Sequence, residues 1–329
     1  MTVNETLAIY SNYLVYGAMA AFTVSMIAFA ASFAAMRTVD ELPAESTATD
    51  LEAEAGGVAV ATKVATGGPA DDALPPGRRA GNIGMSTMWL GTILLGLGVL
   101  FRGLSVSRAP WGNMCEFAMT SAFVVALVFV VLSLRRDLRW LGIFVSTSVL
   151  LVLGLAMTVF YTEAAQLVPA LKSYWLLIHV SAAMICGAAF CIGAICTVLF
   201  LIADTGERRR AEDRRYWLAG FARRLPAAAK LDSMAYRTNA FLFPLWTFAI
   251  IAGAVWAENA WGRYWGWDPK ETWAFITWVA YAAYLHARAT AGWKGRKAAY
   301  IALVAFGCFV FNFIGINILV SGLHSYGGV

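Results

Sequence analysis

Charge is scarce in this sequence: only 14% of its 329 residues are Asp, Glu, Lys or Arg, while 60% are hydrophobic. A soluble domain carries roughly 25% charged residues, so the shortage excludes a water-soluble globule and calls for lipid. The five cysteines offer no metal or disulfide pattern. Cys186, Cys191 and Cys196 stand five apart in one apolar run, and Cys115 and Cys308 lie in or beside others. That excludes a zinc-ligand spacing and a disulfide framework and leaves small buried thiols. There is no C-x-x-C-H, so the chain is not itself a c-type cytochrome. A basic leader before the first apolar run is also lacking, and that run is long enough to span, so no cleavable signal peptide is expected. Histidine is limited to His179, His286 and His324.

Long apolar runs are what the sequence has instead. Eight can be read, at Tyr10–Met36, Ile83–Phe101, Cys115–Leu134, Leu141–Phe160, Trp175–Ala203, Phe241–Ala257, Thr272–Ala289 and Ala298–Leu323. Each approaches the roughly 20 residues a membrane helix needs, and lipid permits no unpaired backbone, so all are expected to be helices. The expected fold is an all-α, polytopic integral membrane protein of about eight transmembrane helices. Its first helix occupies residues 1–36, a polar tether 37–82, and a membrane domain 83–329. The tether, rich in Ala, Gly, Thr, Pro, Asp and Glu, is too poor in apolar residues to order itself.

The net charge of +5 matters less than its distribution. Twenty of the 25 lysines and arginines follow odd-numbered spans, and the other five are Arg102, Arg108, Lys172, Arg263 and Lys270. This bias places the odd loops in the cytoplasm and both termini outside. The loop 204–240 carries Arg208 to Arg210, Arg214, Arg215, Arg223 and Arg224. It is expected to hold an amphipathic surface helix facing anionic headgroups of membrane lipids rather than nucleic acid.

Six of thirteen tryptophans fall between Trp256 and Trp278, around the outer loop 257–272 in the stretch WAENAWGRYWGWDPKETW. An ordinary interfacial belt scatters such residues at both membrane faces. Here Trp261, Trp265, Trp267 and Trp273 crowd one connection, with Gly262 and Gly266 permitting close backbone approach. Asp268 and Glu271 suit the cap and first turn of a helix opened by Pro269. Such a cluster suggests a flat aromatic platform for a large planar ligand. Interfacial anchoring is the plainer alternative. With the orientation above, His179 and His324 lie level with this loop, and two neutral imidazoles suit the axial positions of haem iron. His286 lies within a span, nearer the cytoplasmic end. It is expected either to bond internally or to share a ligand with another polypeptide, and Arg288 beside it could neutralise a carboxylate.

The segment WGRYWGWDPKETW resembles the tryptophan-rich WWD signature of the haem-handling proteins of the CcsA/ResC, CcmC and CcmF types. Similarity extends to PWGNMCEF around Pro110, Asn113 and Glu116, LKSYWLLIHV around His179, YLHAR around His286 and SGLHSYG around His324. Eight spans with a late WWD loop resemble the CcsA/ResC type most. The resemblance implies that His179 and His324 ligate the iron of haem b at the outer face of a bacterial plasma membrane. It implies haem contact for Trp261, Trp265, Trp267, Asp268 and Trp273. It further implies that His286 supplies one ligand of a second haem within the bilayer, the other coming from a ResB-like partner. The implied activity is haem delivery and attachment to an apocytochrome c bearing C-x-x-C-H, as part of a cytochrome c synthase complex. A thiol-reducing thioredoxin-like protein is a further candidate partner. A haem transporter or channel without synthase activity is the alternative, although no pair of interrupted helices and no internal repeat is visible in the sequence.

Overall fold

The computed structural model describes residues 3–36, 77–166, 171–290 and 292–324. The described residues form α1 (Glu5–Ala35), α2 (Arg78–Ser105), α3 (Met114–Ser133), α4 (Arg139–Thr158), α5 (Tyr174–Ala211) and the short α6 (Ala219–Ala222). There follow α7 (Ala228–Trp261), α8 (Pro269–Ala289) and α9 (Arg296–Val310), which continues through a π turn at Phe311–Gly315 into α10 (Ile316–Leu319). No strand occurs among them. Four helices begin at side-chain caps, Asn4, Asn113, Ser173 and Asp268, whose oxygens accept backbone N–H groups the first turn leaves open.

Seven helices among the described residues are long and apolar enough to cross a membrane, the last running through Arg296–Leu319. The seventh expected span, α8, falls outside that set because its ends carry Lys270, Glu271, His286 and Arg288. It nevertheless traverses the bundle. Trp278 Nε1 donates to Thr247 Oγ1 at 2.8 Å, and Arg288 grips Asp232 at 2.6 and 3.0 Å. Moving down α8 thus means moving backwards along α7, so the pair is antiparallel over its whole length. At 1.5 Å per residue its 21 residues reach about 30 Å, the thickness of a hydrocarbon core.

Two clusters make the core. One joins α1 to α4 with the Arg-rich halves of α5 and α7, and the other lies between α5, α7, α8 and α9. In lipid, helices associate through close packing and hydrogen bonds rather than hydrophobicity. Accordingly Phe22 lies over Gly91 and Phe29 over Gly84, where a Cβ would come within 2.8 Å of either ring. Ser11 and Ser25 of α1 donate to the carbonyls of Gly98 and Gly84 at 2.7 and 2.8 Å.

Three expectations need revision. No long surface helix fills 204–240, because α5 runs on to Ala211 and α7 starts at Ala228, leaving only α6 between them. The charged residues that suggested a separate helix are in part the solvated ends of those two spans. The expected tether reached Asn82, but α2 begins at Arg78. Residues 37–76 lie outside those described. Arg288 is not held in reserve for a ligand, since its guanidinium is committed to Asp232 and covers the Tyr236 ring at 4.5 Å.

Candidate functional site

Between α7 and α8 the chain must turn tightly and carry many aromatic rings. Gly262 ends α7 in the left-handed region at φ 70°, where other residues are strained. Asp268 and Glu271 then form the expected capping box of α8. The buried Glu271 carboxylate does more than cap. It accepts from the backbone N–H of Gly266 (2.8 Å) and Asp268 (3.1 Å) and from Arg263 (3.2 Å). The loop is therefore wrapped around one acid. Glycine at 266 leaves the room that the Arg263 guanidinium occupies, for a Cβ there would fall 1.9 Å from it and would displace it from Glu271.

Asp268 connects this loop to the far end of the chain. Its Oδ1 accepts the Leu323 N–H and its Oδ2 meets His324 Nδ1, both at 2.7 Å. Burial works against ionisation of this carboxyl, but the bonds from His324, Leu323 and Lys270 outweigh it and hold it below the ordinary carboxylate range. On the other side, His179 in the second turn of α5 sets its Nδ1 against the Ala249 carbonyl of α7 at 2.7 Å. Each imidazole thus bonds a protein acceptor through Nδ1. Nε2 makes no hydrogen bond in either ring among the described residues.

Both histidines line one cavity of about 210 Å³, together with Trp256, Trp265, Lys270, Trp111 and Asn312. Trp256 links the two rings, parallel to His179 at 6.4 Å and tilted to His324 at 5.6 Å. Trp261 stands edge-on to His324 at 4.9 Å. Three polar atoms of residues that line the cavity, Trp111 Nε1, Trp246 Nε1 and Asn312 Oδ1, are buried and have no hydrogen-bond partner among the described residues. Because unpaired buried polar groups are costly, the walls suit an occupant that carries polar groups as well as apolar surface. Among the described residues no group of three or more His, Cys, Asp and Glu side chains is placed to hold a metal ion.

The expected tryptophans divide. Trp265 lines the cavity and Trp261 supports His324 from behind. Trp267 is 66% exposed, has φ 60°, and meets Trp265 at 89°. Trp273 packs on Phe311 at 4.3 Å. These rings do not form a flat platform, because Trp261, Trp265 and Trp267 stand edge-on to their neighbours and Trp273 is tilted at 51° to Phe311. His286 lies far from the other two histidines, in the last turn of α8, exposed, and its imidazole makes no hydrogen bond among the described residues. Sequence reasoning missed Trp111, Trp246, Lys270 and Asn312. Asn312 lies in the π turn, and such turns recur at functional sites, but one polar residue in an apolar run gave little sign of it.

Residues 111–324 match the family model described as Cytochrome C assembly protein. The chain belongs to this family, and within it to the CcsA/ResC group. It is 38% identical over 248 residues to a cytochrome c biogenesis protein CcsA of Guillardia theta, covering 72% of this chain and 81% of that one. A CcsA protein of Prochlorococcus marinus is 35% identical over 257 residues, covering 71% and 81%. Another, from Synechococcus sp. strain JA-3-3Ab, is 33% identical over 304 residues, covering 78% and 88%. The fold is similar to a solved structure titled cytochrome c heme lyase CcmF, with TM-score 0.60 and 13% identity. That similarity covers all of this chain and 48% of the other.

Proposed function

We propose that this CcsA/ResC protein holds haem b between His179 and His324 at the outer face of a bacterial plasma membrane. It presents the haem to a reduced apocytochrome c bearing C-x-x-C-H. The single observation carrying this reading is that two histidines 145 positions apart in sequence (324 − 179) line one cavity while each bonds a protein acceptor through Nδ1. Metal-ligating histidines are oriented in this way by a carbonyl or carboxylate on the second nitrogen. The names of the family and its relatives support the choice of haem, and the arginine-rich opposite end supports the outer placement.

In the attachment step each cysteine S–H adds across a haem vinyl C=C, the sulfur to one carbon and the hydrogen to the other. Nothing is oxidised or reduced. The chain's contribution is positioning: a ligated ring held still beside the bound peptide meets its thiols at high effective concentration. His179, Trp256 and Ala249 anchor one side of that ring, and His324, Asp268 and Trp261 the other. A ResB-like partner completes a second site with His286, whose exposure near the other end of α8 supports a ligand shared across an interface. Haem passes from that site to the cavity.

The test is reconstitution of this chain with a ResB-like protein, haem, an apocytochrome and a thiol reductant. Covalent haem on the apocytochrome is the expected product, lost with His179→Ala or His324→Ala. Haem that is bound and released without thioether formation would support the transporter alternative instead.

A further inference from the structure

The loop between α2 and α3 is built like the tryptophan loop. Residues 108–116 read Arg-x-x-Trp-Gly-Asn-x-x-Glu and residues 263–271 read Arg-x-Trp-Gly-Trp-Asp-x-x-Glu. In both, the arginine binds a glutamate eight positions on, Arg108 to Glu116 at 2.8 Å and Arg263 to Glu271 at 3.2 Å. In both, the glycine after a tryptophan donates its N–H to that glutamate, Gly112 at 2.9 Å and Gly266 at 2.8 Å. Asn113 and Asp268 cap the helices that follow. The second loop brings Trp265 to the cavity, and the first brings Trp111.

The two loops differ in charge. Around Glu271 and Asp268 stand Arg263 and Lys270, an even balance. Glu116 is fully buried between Arg102 at 3.3 Å and Arg108 at 2.8 Å, two guanidiniums on one carboxylate. At Glu116 itself the guanidiniums outnumber the carboxylate two to one. A second cavity, of about 380 Å³, adjoins the first loop: it shares Trp111, Gly112, Leu171 and Leu176 with the main one and is bordered by Lys172. Trp111 borders both cavities, and its indole N–H is buried and has no hydrogen-bond partner among the described residues.

We propose that the loop 108–116 is the opposite jaw of the cavity, where the Trp111 N–H and the Lys172 ammonium bind the carboxylate edge of the planar ligand. A porphyrin carrying two carboxylates on one edge would then be held in a single orientation. Its carboxylates face the first loop, and the edge that must react is directed away from it. The proposal rests on the reading of the cavity as a haem site.

The experiment compares haem with haem dimethyl ester, the same macrocycle without the negative charges, in absorption titrations of the purified full chain. Hydrogen bonds to charged groups imply that wild type prefers haem over the ester by about ten- to a hundredfold. Trp111→Phe, which keeps the ring and removes the N–H, should reduce that preference about tenfold. Lys172→Gln, at an exposed position, should reduce it as well. Neither variant should change the ester's affinity or the bis-imidazole spectrum. Equal affinity of wild type for haem and ester, or an undiminished preference in both variants, would overturn the carboxylate jaw while leaving haem in the cavity. An unaltered haem spectrum in both His179→Ala and His324→Ala would instead overturn the haem site itself.

Discussion

Gly253 of α7 leaves the room that the His179 ring occupies, for a Cβ there would come within 2.7 Å of Cε1 and Nδ1. Alanine is the better helix former by about 1 kcal/mol, so Gly253→Ala should fold normally yet push the imidazole off the Ala249 carbonyl. Disturbing the partners that orient a ligand typically costs about 10- to 100-fold in affinity, and haem titration of the purified variant should show a loss in that range. Asp268→Asn should produce a similar loss on the His324 side. The Asp268 carboxyl is held below its ordinary pKa, so the order it brings to Leu323 and His324 is present above about pH 4 and lost as pH falls through the folded value. Protection of the 320–324 segment against exchange should therefore decline in acid for the wild type, and in Asp268→Asn the decline should vanish. Single residues were legible in the sequence where chemistry is rare. Three histidines and a crowd of tryptophans stand out in an apolar chain, and the cap roles of Asp268 and Glu271 follow from their spacing. The bond from Asp268 to His324 links positions 56 apart, and Trp111 and Asn312 reach the cavity by packing. No local pattern announces either.

The helical hairpin of α7 and α8 is the element that joins both ends of the protein. At one end it carries the tryptophan loop and at the other the Arg288–Asp232 pair, with Arg288 9% and Asp232 20% exposed. Removing one partner of a buried pair leaves an uncompensated charge and costs about 3–5 kcal/mol. Asp232→Ala should accordingly lower the thermal midpoint in detergent, while the double variant with Arg288→Ala loses less than the sum of the single losses. Haem per folded molecule in the outer cavity should not change. If Arg288 instead neutralised a ligand carboxylate, haem content would fall before stability did. Apolar length found the spans to within a few residues at most boundaries, because lipid leaves helix as the one solution. It failed in two places where polar residues lie at helix ends: α5 and α7 extend well past their apolar segments, and the charges at the ends of α8 depress the hydropathy of a helix that nonetheless packs antiparallel along α7.

At the scale of the whole molecule, the two ends of the bundle are unlike. One holds the paired loops and the cavity, and the other gathers the arginines of α5 and the loop before α7. Cysteines introduced at the exposed positions Asn259 and Ala211 should label from opposite sides of intact membranes, with Asn259→Cys reached from outside. Labelling from one side would contradict the orientation that the charge bias implies. His286→Ala should lower haem stoichiometry in the complex with a ResB-like partner, whereas His324→Ala should leave haem retained near His286. Axial ligation is the most direct measurement of the proposed haem site. Haem absorption spectra of purified wild type, His179→Gly and His324→Gly should show a bis-imidazole iron in the first. In each variant the iron should have one open position that added imidazole restores, together with part of the cytochrome assembly. Unchanged spectra and normal assembly in both glycine variants would contradict it.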